Sequence, residues 1–243
     1  IPPNETNPPS ATRICDCTIH DGGHRSPSAI GVWVGNAGHN RVRHNHIFDL
    51  NYTGISDGWT WGYAPTATVD NRIEYNHIHH INHRQILSDN GGIYTLGIHP
   101  GGLVRGNVIH DIDCYGYGGW GIYPDEGSSE IVFVDNVVYH TKEAAFSVHY
   151  GRDLVVENNI FALSKDAHFR PGKAEDHRSA IIQGNLIYFA EGSLIHAEQW
   201  FPENYIFRDN LFYNVNGPVE FGPTVSLEEW QAQGQLEGTV IAD

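Results

Sequence analysis

A short pattern centred on asparagine recurs seven times, and it constrains the fold more than any other feature of this sequence. The copies read VRHNHIF, IEYNHIH, VRGNVIH, FVDNVVY, VENNIFA, IQGNLIY and FRDNLFY. They align on Asn45, Asn76, Asn107, Asn136, Asn159, Asn185 and Asn210, at intervals of 31, 31, 29, 23, 26 and 25 residues. An apolar residue stands three positions before each asparagine and another stands two positions after it. Repeats of this length and pattern are typical of one turn of a β-solenoid.

A single copy would bury too little apolar surface to be stable, so we expect the copies to stack around one continuous core. An eighth, degenerate copy, ICDCTIH, precedes the first. Strands of successive coils would lie about 4.8 Å apart, and inward-facing asparagines would hydrogen-bond to their neighbours as a ladder. The pattern therefore predicts an all-β fold, a right-handed parallel β-helix of about eight coils that forms a single domain over residues 1–243. Leucine-rich repeats and propellers are disfavoured, because the leucine spacing is absent and each unit is too short for four strands.

One helix is predicted near the end of the chain. The segment SLEEWQAQ offers Ser226 and Glu229 as a capping box. We expect this helix to shield the open edge of the last coil.

The charge of the chain limits the class of partner. Its 14 basic and 29 acidic residues give a formal net charge of -15, which disfavours nucleic acid, anionic membranes and polyanionic substrates. The sequence has no run of about 18 apolar residues and no secretion signal, so it predicts no membrane span and leaves the location open between secreted, periplasmic and other sites. Because it contains no methionine, we expect it to be a piece of a longer protein.

A second register of short strands follows the asparagines. These strands are expected to begin at Gly54, Gly92, Gly121, Ala145, Ala167, Ser193 and Pro218. Two adjacent coils carry insertions before this register, NHRQILSD and DCYGYG. Loops added to neighbouring coils on one side of a solenoid usually form its binding face.

Two carboxylates are predicted to meet on that face. Period-two alternation turns Asp125 and His149 outward one coil apart, while Asp89 lies at the mouth of the inserted loop in the preceding coil. Paired carboxylates roughly 5 to 9.5 Å apart are the catalytic groups of glycosidases. Glu126 is a rival to Asp125, although alternation favours Asp125. The alternative is that these acidic residues only cap turns before glycine.

Aromatic and polar side chains surround the two carboxylates. A neutral sugar has an apolar C–H face and polar hydroxyl groups, so it binds flat aromatic rings that carry hydrogen-bonding groups at their edges. The predicted substrate-binding residues are Trp59, Trp61, Tyr94, Trp120, Tyr123, His149 and Arg152. The alternative for Trp59 and Trp61 is that they only cover the stack.

The 16 histidines raise the question of a metal site, above all in the segment NHIHHINH. His77 and His79 should share one face, but the first repeat has His46 and Phe48 in the matching places. No acidic or cysteine ligand completes a set of three or four. We therefore expect no metal site and no cofactor.

Several segments resemble the right-handed parallel β-helix proteins of glycoside hydrolase family 141 and, more distantly, family 120. These segments are HNHIFDLNYTGISDGWTWGY, NRIEYNHIHHI, LSDNGGIYTLG, GGWGIYPDEGSS and HYGRDLVVENNIFAL. The resemblance implies hydrolysis of neutral glycans, such as xylan-derived or fucosylated substrates. It also implies that Asp89 and Asp125, with Glu126 as the rival of Asp125, are the acidic pair.

Two other function classes remain open. A polysaccharide lyase or uronate epimerase would need cationic groups or Ca²⁺ to hold a uronate, and a chain with three lysines and a large negative charge disfavours it. A non-catalytic glycan-binding β-helix is the second alternative. The expected partner in the leading interpretation is an oligo- or polysaccharide, with neither nucleic acid nor membrane.

Overall fold

The structure is a computed structural model that describes residues 10–196, 200–222 and 226–242. The described chain consists of short strands, one 3₁₀ turn at Pro202–Asn204 and one helix. In chain order the elements are β1 (Arg13–Cys15), β2 (Thr18–Gly22), β3 (Val32–Gly35), β4 (Arg41–Arg43), β5 (His46–Leu50), β6 (Ile55–Gly58), β7 (Arg72–Glu74), β8 (His77–Ile81), β9 (Gly91–Leu96), β10 (Ile98–Arg105), β11 (Val108–Ile112), β12 (Trp120–Pro124), β13 (Ser128–Val134), β14 (Val137–Thr141), β15 (Ala144–Val148), β16 (Gly151–Arg152), β17 (Leu154–Glu157), β18 (Ile160–Ala162), β19 (Ala167–Pro171), β20 (Ala180–Gln183), β21 (Leu186–Phe189), β22 (Ser193–Ile195), β23 (Tyr205–Arg208), β24 (Leu211–Asn214), α1 (Leu227–Ala232) and β25 (Val240–Ala242).

The strands form three parallel sheets. Sheet 1 has the order β1-β4-β7-β10-β13-β17-β20-β23, with β16 beside β13; sheet 2 has the order β2-β5-β8-β11-β14-β18-β21-β24-β25; sheet 3 has the order β22-β19-β15-β12-β9-β6-β3. Neighbours in each sheet come from successive coils, and the chain makes about eight turns. The right-handed parallel β-helix predicted from the repeat is therefore confirmed.

The asparagine ladder lies at the bend between sheets 1 and 2. The backbone N–H and the side-chain amide of Asn76 both donate to Asn107 Oδ1 at 2.9 Å, and the same amide donates to the Val42 carbonyl at 3.0 Å. The degenerate copy joins the end of the ladder, because the backbone N–H of Cys17 donates to Asn45 Oδ1 at 3.1 Å. The ladder thus satisfies buried polar backbone groups at a bend where no strand partner is available.

A left-handed residue precedes every ladder asparagine. These residues are His44, Tyr75, Gly106, Asp135, Asn158, Gly184 and Asp209, with φ between 54° and 65°. A positive φ interrupts the strand and turns the next side chain inward. Glycine adopts it freely, and Asn, Asp and His adopt it more readily than other residues.

The core consists of apolar columns, one from each sheet. The residues three before and two after each ladder asparagine are buried, and Ile55, Ile93, Ile122 and Phe146 form the matching column of sheet 3. At one end α1 closes this core. Its capping box between Ser226 and Glu229 is present, and Trp230 is fully buried against Phe207 and Trp200.

Six of the seven strands expected for sheet 3 begin within one residue of the position predicted from the sequence. The seventh expected strand, at Pro218, is absent from the described residues: the chain there is irregular. The carbonyls of Glu220 and Phe221 still accept hydrogen bonds from Leu194 and Ile195, at 2.7 and 2.9 Å. Pro218 has no N–H to donate, which weakens a further strand at this position. Among the described residues, no helix is long and apolar enough to cross a membrane.

Candidate active site

Asp125 follows the end of β12 and accepts hydrogen bonds from three side chains. The Tyr94 and Tyr123 hydroxyls donate to its two oxygens, the latter at 2.8 Å, and His149 Nδ1 lies 2.9 Å from Oδ1. Tyr94 and Tyr123 are in register on adjacent strands, β9 and β12. His149 lies in the next coil, where its backbone N–H donates to Pro124 at 2.9 Å. The predicted stacking of Asp125 and His149 is therefore present, and it places three donors from neighbouring coils around one carboxylate.

These hydrogen bonds keep Asp125 ionised. Burial by itself raises the pKa of Asp125, but hydrogen bonds from His149, Tyr94 and Tyr123 outweigh it and hold the pKa below its usual range. The pKa values of the two tyrosines are raised, first by burial and then by the charge of Asp125. The hydroxyls therefore remain protonated donors at neutral pH.

Asp89 lies where the two insertions meet. Its backbone has a left-handed φ of 59°, and its N–H donates to the Tyr117 carbonyl at 2.9 Å. A Cβ at Gly118 would lie 2.9 Å from the nitrogen of Asp89, so only glycine allows the second insertion to approach this closely. Burial, followed by the charge of Asp125, raises the pKa of Asp89. The pKa values of the two acidic side chains are thus shifted in opposite directions, and the charge of Asp125 contributes to the shift of Asp89.

Glu126 lies beside Asp125 rather than on the opposite face. The strand ends at Pro124, so the alternation that would separate the two acids does not continue. Glu126 accepts a hydrogen bond from the Tyr150 hydroxyl at 3.1 Å, and its other oxygen lies 3.9 Å from His149 Nδ1. Asp125, Glu126 and His149 each bring one ligand-type atom within 4.8 Å of the others. Hydroxyl or ring nitrogen donors already engage both oxygens of Asp125, which makes these three residues a poor cation site.

Three tryptophans form an aromatic row beside the carboxylates. Trp59 stacks on Tyr94 with ring centroids 6.1 Å apart, and its Nε1 donates to Ser56 at 2.9 Å. Trp61 and Trp33 contact Trp59 edge-on at 5.6 and 5.8 Å, and both are more than half exposed. Trp33 was not among the residues predicted for this site. Its register with Ser56, which pairs in turn with Tyr94, is the signal that would have placed it here.

Trp120 lies below the surface of the cleft. It is 1% exposed, and the guanidinium of Arg170 lies over its ring at 5.2 Å. This burial leaves no open ring face for a sugar, so Trp120 supports Tyr123 and Arg170 from beneath. Arg170 was also missed. It pairs in register with Ser147, the outward residue of β15, and its charge lowers the pKa of Asp89, which partly opposes the rise from burial.

Arg152 lies on sheet 1, at a distance along the coil from the carboxylates. Its guanidinium lies over the Tyr63 ring at 5.1 Å and 4.0 Å from Glu130. The Tyr63 ring contacts Tyr150 edge-on at 6.0 Å, which connects Arg152 to the neighbourhood of Glu126. The predicted hydroxyl contact of Arg152 stays a prediction.

A second group of polar side chains lies outside this cleft, on the outer face of sheet 2. It consists of His46, His77, His79 and His110. Burial, followed by the proximity of other histidines, lowers the pKa of His77 and brings that of His79 to about 4. These two imidazoles are therefore neutral at physiological pH.

Comparisons with known proteins support the fold of this chain but not a particular activity. No family model and no curated protein matches the chain. A solved structure described as a glycoside hydrolase is 22% identical with a TM-score of 0.49, and the match covers 95% of this chain and 28% of that one. A structure described as the complex of XylC with xylose is 15% identical with a TM-score of 0.54, covering 97% of this chain and 44% of that one. The chain therefore spans less than half the length of either protein, and the likeness to XylC supports the β-helix fold.

Proposed function

We propose that this protein is a glycoside hydrolase in which Asp89 is the general acid and Asp125 is the nucleophile or general base. The observation that carries this proposal is the contrast in surroundings: three side-chain donors surround Asp125, whereas Asp89 is half-buried near its charge, and the pKa values of the two carboxyl groups are accordingly shifted in opposite directions. Glycosidases need one protonated and one ionised carboxyl group at the same pH, and different surroundings produce that difference. Turn-capping aspartates would not need three side-chain donors around one of them.

The surroundings of each carboxyl group define its role. Asp89 holds its proton to a higher pH than an ordinary aspartate, so it is suited to protonate the glycosidic oxygen as the bond breaks. Asp125 stays ionised and either attacks the anomeric carbon or activates a water molecule. Its hydrogen bonds from Tyr94, Tyr123 and His149 hold it in one orientation, which reduces the loss of entropy on reaction.

A neutral glycan fits the groove best. The formal charge of -15 repels anionic polymers, whereas the exposed faces of Trp33 and Trp61 suit the C–H face of a sugar. We propose xylan-derived or fucosylated glycans, as the resemblance to families 141 and 120 implies. The structure described as the complex of XylC with xylose supports only the xylan-derived option of this proposal.

Two substitutions distinguish the roles of the carboxyl groups. Asp125→Asn should reduce turnover at least about a hundredfold on every substrate, because the nucleophile or base is needed whatever leaves. Asp89→Asn should reduce turnover as much on natural glycans but far less on dinitrophenyl glycosides, whose leaving group needs no proton. The assay is release of sugar and of dinitrophenol from xylosides and fucosides, with Glu126→Gln as the matched control.

Some results would overturn the assignment. Near wild-type turnover in both aspartate variants refutes the pair, and loss in Glu126→Gln alone transfers the ionised role to Glu126. An unsaturated product absorbing in the ultraviolet on pectin or alginate would identify a lyase instead. Binding to a glycan array with no sugar released by the wild-type protein would identify a binding module.

A further inference from the structure

The histidines on the outer face of sheet 2 form two adjacent columns that cross successive coils. His46, His77 and Val108 occupy one column, and Phe48, His79 and His110 occupy the other. Strand pairing brings equivalent residues of neighbouring coils about 4.8 Å apart. Residues two apart on one strand share a face, so His77 and His79 lie side by side.

This placement directs ring nitrogens toward one another. His46 Nε2 lies 2.8 Å from His79 Nε2 across the two columns, and the His46 and His77 rings stack with centroids 5.0 Å apart. One ring nitrogen from each of His46, His77 and His79 lies within 4.8 Å of the other two. His46 thus brings a third ring nitrogen to His77 and His79, which comparison of the repeats one by one does not reveal.

We propose that His46, His77 and His79 bind a divalent late transition-metal ion on the outer face of sheet 2. This site is separate from the carboxylates of the proposed hydrolase and does not depend on their activity. Imidazole ligands suit Cu²⁺, Zn²⁺ and Ni²⁺, whereas Ca²⁺ and Mg²⁺ need oxygen ligands. Cu²⁺ should bind most tightly among these ions, in accordance with the usual order of affinities.

The distances are close to those that such an ion requires. Two imidazole nitrogens bound to one tetrahedral ion are about 3.3 Å apart, given metal–nitrogen bonds of about 2.0–2.1 Å. His46 and His79 would therefore separate by a few tenths of an ångström, which small ring rotations at a partly exposed surface allow. Three protein ligands leave at least one position open for water or another ligand.

Neighbouring groups hold the cluster in place. His110 stacks on His79 with centroids 4.9 Å apart, and its Nε2 lies 2.8 Å from His77 Nε2. Its Nδ1 lies 2.7 Å from Asp111 Oδ2, so the carboxylate accepts the Nδ1 proton and orients the ring.

The chain itself supplies substitutions that should preserve the fold. His79→Phe places phenylalanine next to Phe48 in the same column, where Phe48 already stacks on His79 with centroids 5.2 Å apart. His77→Val repeats the residue found in that column at Val108. His39→Gln is the control, because His39 is an exposed histidine that lies two residues before β4 and beside Asp70.

The test is titration of the intact chain with Cu²⁺ in a buffer that does not chelate it, followed by calorimetry and electron paramagnetic resonance. We expect one ion per chain, nitrogen couplings from imidazole in the spectrum, and a higher Tm in the presence of the ion. His79→Phe and His77→Val should each weaken binding at least about tenfold, whereas His39→Gln should bind like the wild type. Metal-free Tm values show whether each variant is folded, and either variant alone decides the matter.

Three results would overturn the proposal. These are no saturable binding by the wild-type chain, unchanged affinity in the folded His79→Phe or His77→Val variant, and equal weakening in His39→Gln. The third result would assign the binding to histidines outside the cluster.

Discussion

The asparagine ladder predicts a large and local effect on stability. We consider Asn159→Ala in the middle of the ladder. Asn159 is 1% exposed; its Oδ1 accepts from the backbone N–H and the side-chain amide of Asn136, each at 2.9 Å. Its amide donates to the Phe133 carbonyl at 3.0 Å and to Asn185 Oδ1 at 2.9 Å. Alanine removes all four interactions at once.

The magnitude follows from the groups left behind. The backbone N–H of Asn136 and the carbonyl of Phe133 lose a partner in a buried site, and each such loss costs about 1–3 kcal/mol. Asn136 and Asn185 keep other hydrogen bonds, so their contribution is smaller. We expect the free energy of unfolding to fall by about 3 kcal/mol, measured by urea denaturation followed by circular dichroism.

The neighbouring residue provides the control. Asn158 is exposed and left-handed, and its amide donates only to Asp135, at 3.1 Å. Asn158→Gly should change the unfolding free energy by less than about 0.5 kcal/mol, because Gly106 and Gly184 already occupy the equivalent position in other coils. If Asn159→Ala lowers the unfolding free energy no more than Asn158→Gly does, the hydrogen bonds of the ladder do not stabilise the fold.

Three further predictions concern single residues. Tyr94→Phe removes a donor to Asp125, so the pKa of Asp125 should rise and the acidic limb of the proposed hydrolase's pH–activity profile should move to higher pH; an unmoved limb would count against the assigned role of Asp125. Burial raises the pKa of Asp57 to about 7 from 3.8, so the folded protein holds an extra proton across that range and loses stability as the pH rises through it. Asp57→Asn removes this loss, and its Tm advantage over the wild type should grow from about pH 5 to about pH 8; a constant difference would contradict the shift. Ser226→Ala removes the cap of α1 and should lower the unfolding free energy by about 1 kcal/mol in the same urea assay. An unchanged unfolding free energy would show that the capped helix does not stabilise the end of the core.

The architecture was predictable because its determinants are local and periodic. Each copy of the asparagine pattern specifies its own bend and its own inward residues, and each coil contacts only its neighbours. One copy of the pattern therefore predicts the position of the ladder asparagine and of the apolar residue two places after it, such as Asn107 and Ile109, in each of the other coils. The failure at Pro218 has a local cause as well, because proline lacks the N–H that a further strand needs.

The candidate site was predictable only in part. Alternation brought Asp125 and His149 together, since both lie on regular strands or directly after one. It did not place Glu126 beside them, because the strand ends at Pro124 and the chain turns. Trp33 and Arg170 were missed because their link to the site runs through pairing with strands of other coils.

The sequence by itself determined that this chain is a parallel β-helix with an asparagine ladder, a closing helix and two neighbouring coils that carry insertions. Only the tertiary structure decided that Asp125 accepts hydrogen bonds from three side chains, that Asp89 contacts the second insertion at Gly118, and that the His46 ring lies next to that of His79. The physical reason is that coil length varies between 23 and 31 residues along the repeat. Contacts across coils therefore depend on how each insertion folds, which no local period encodes.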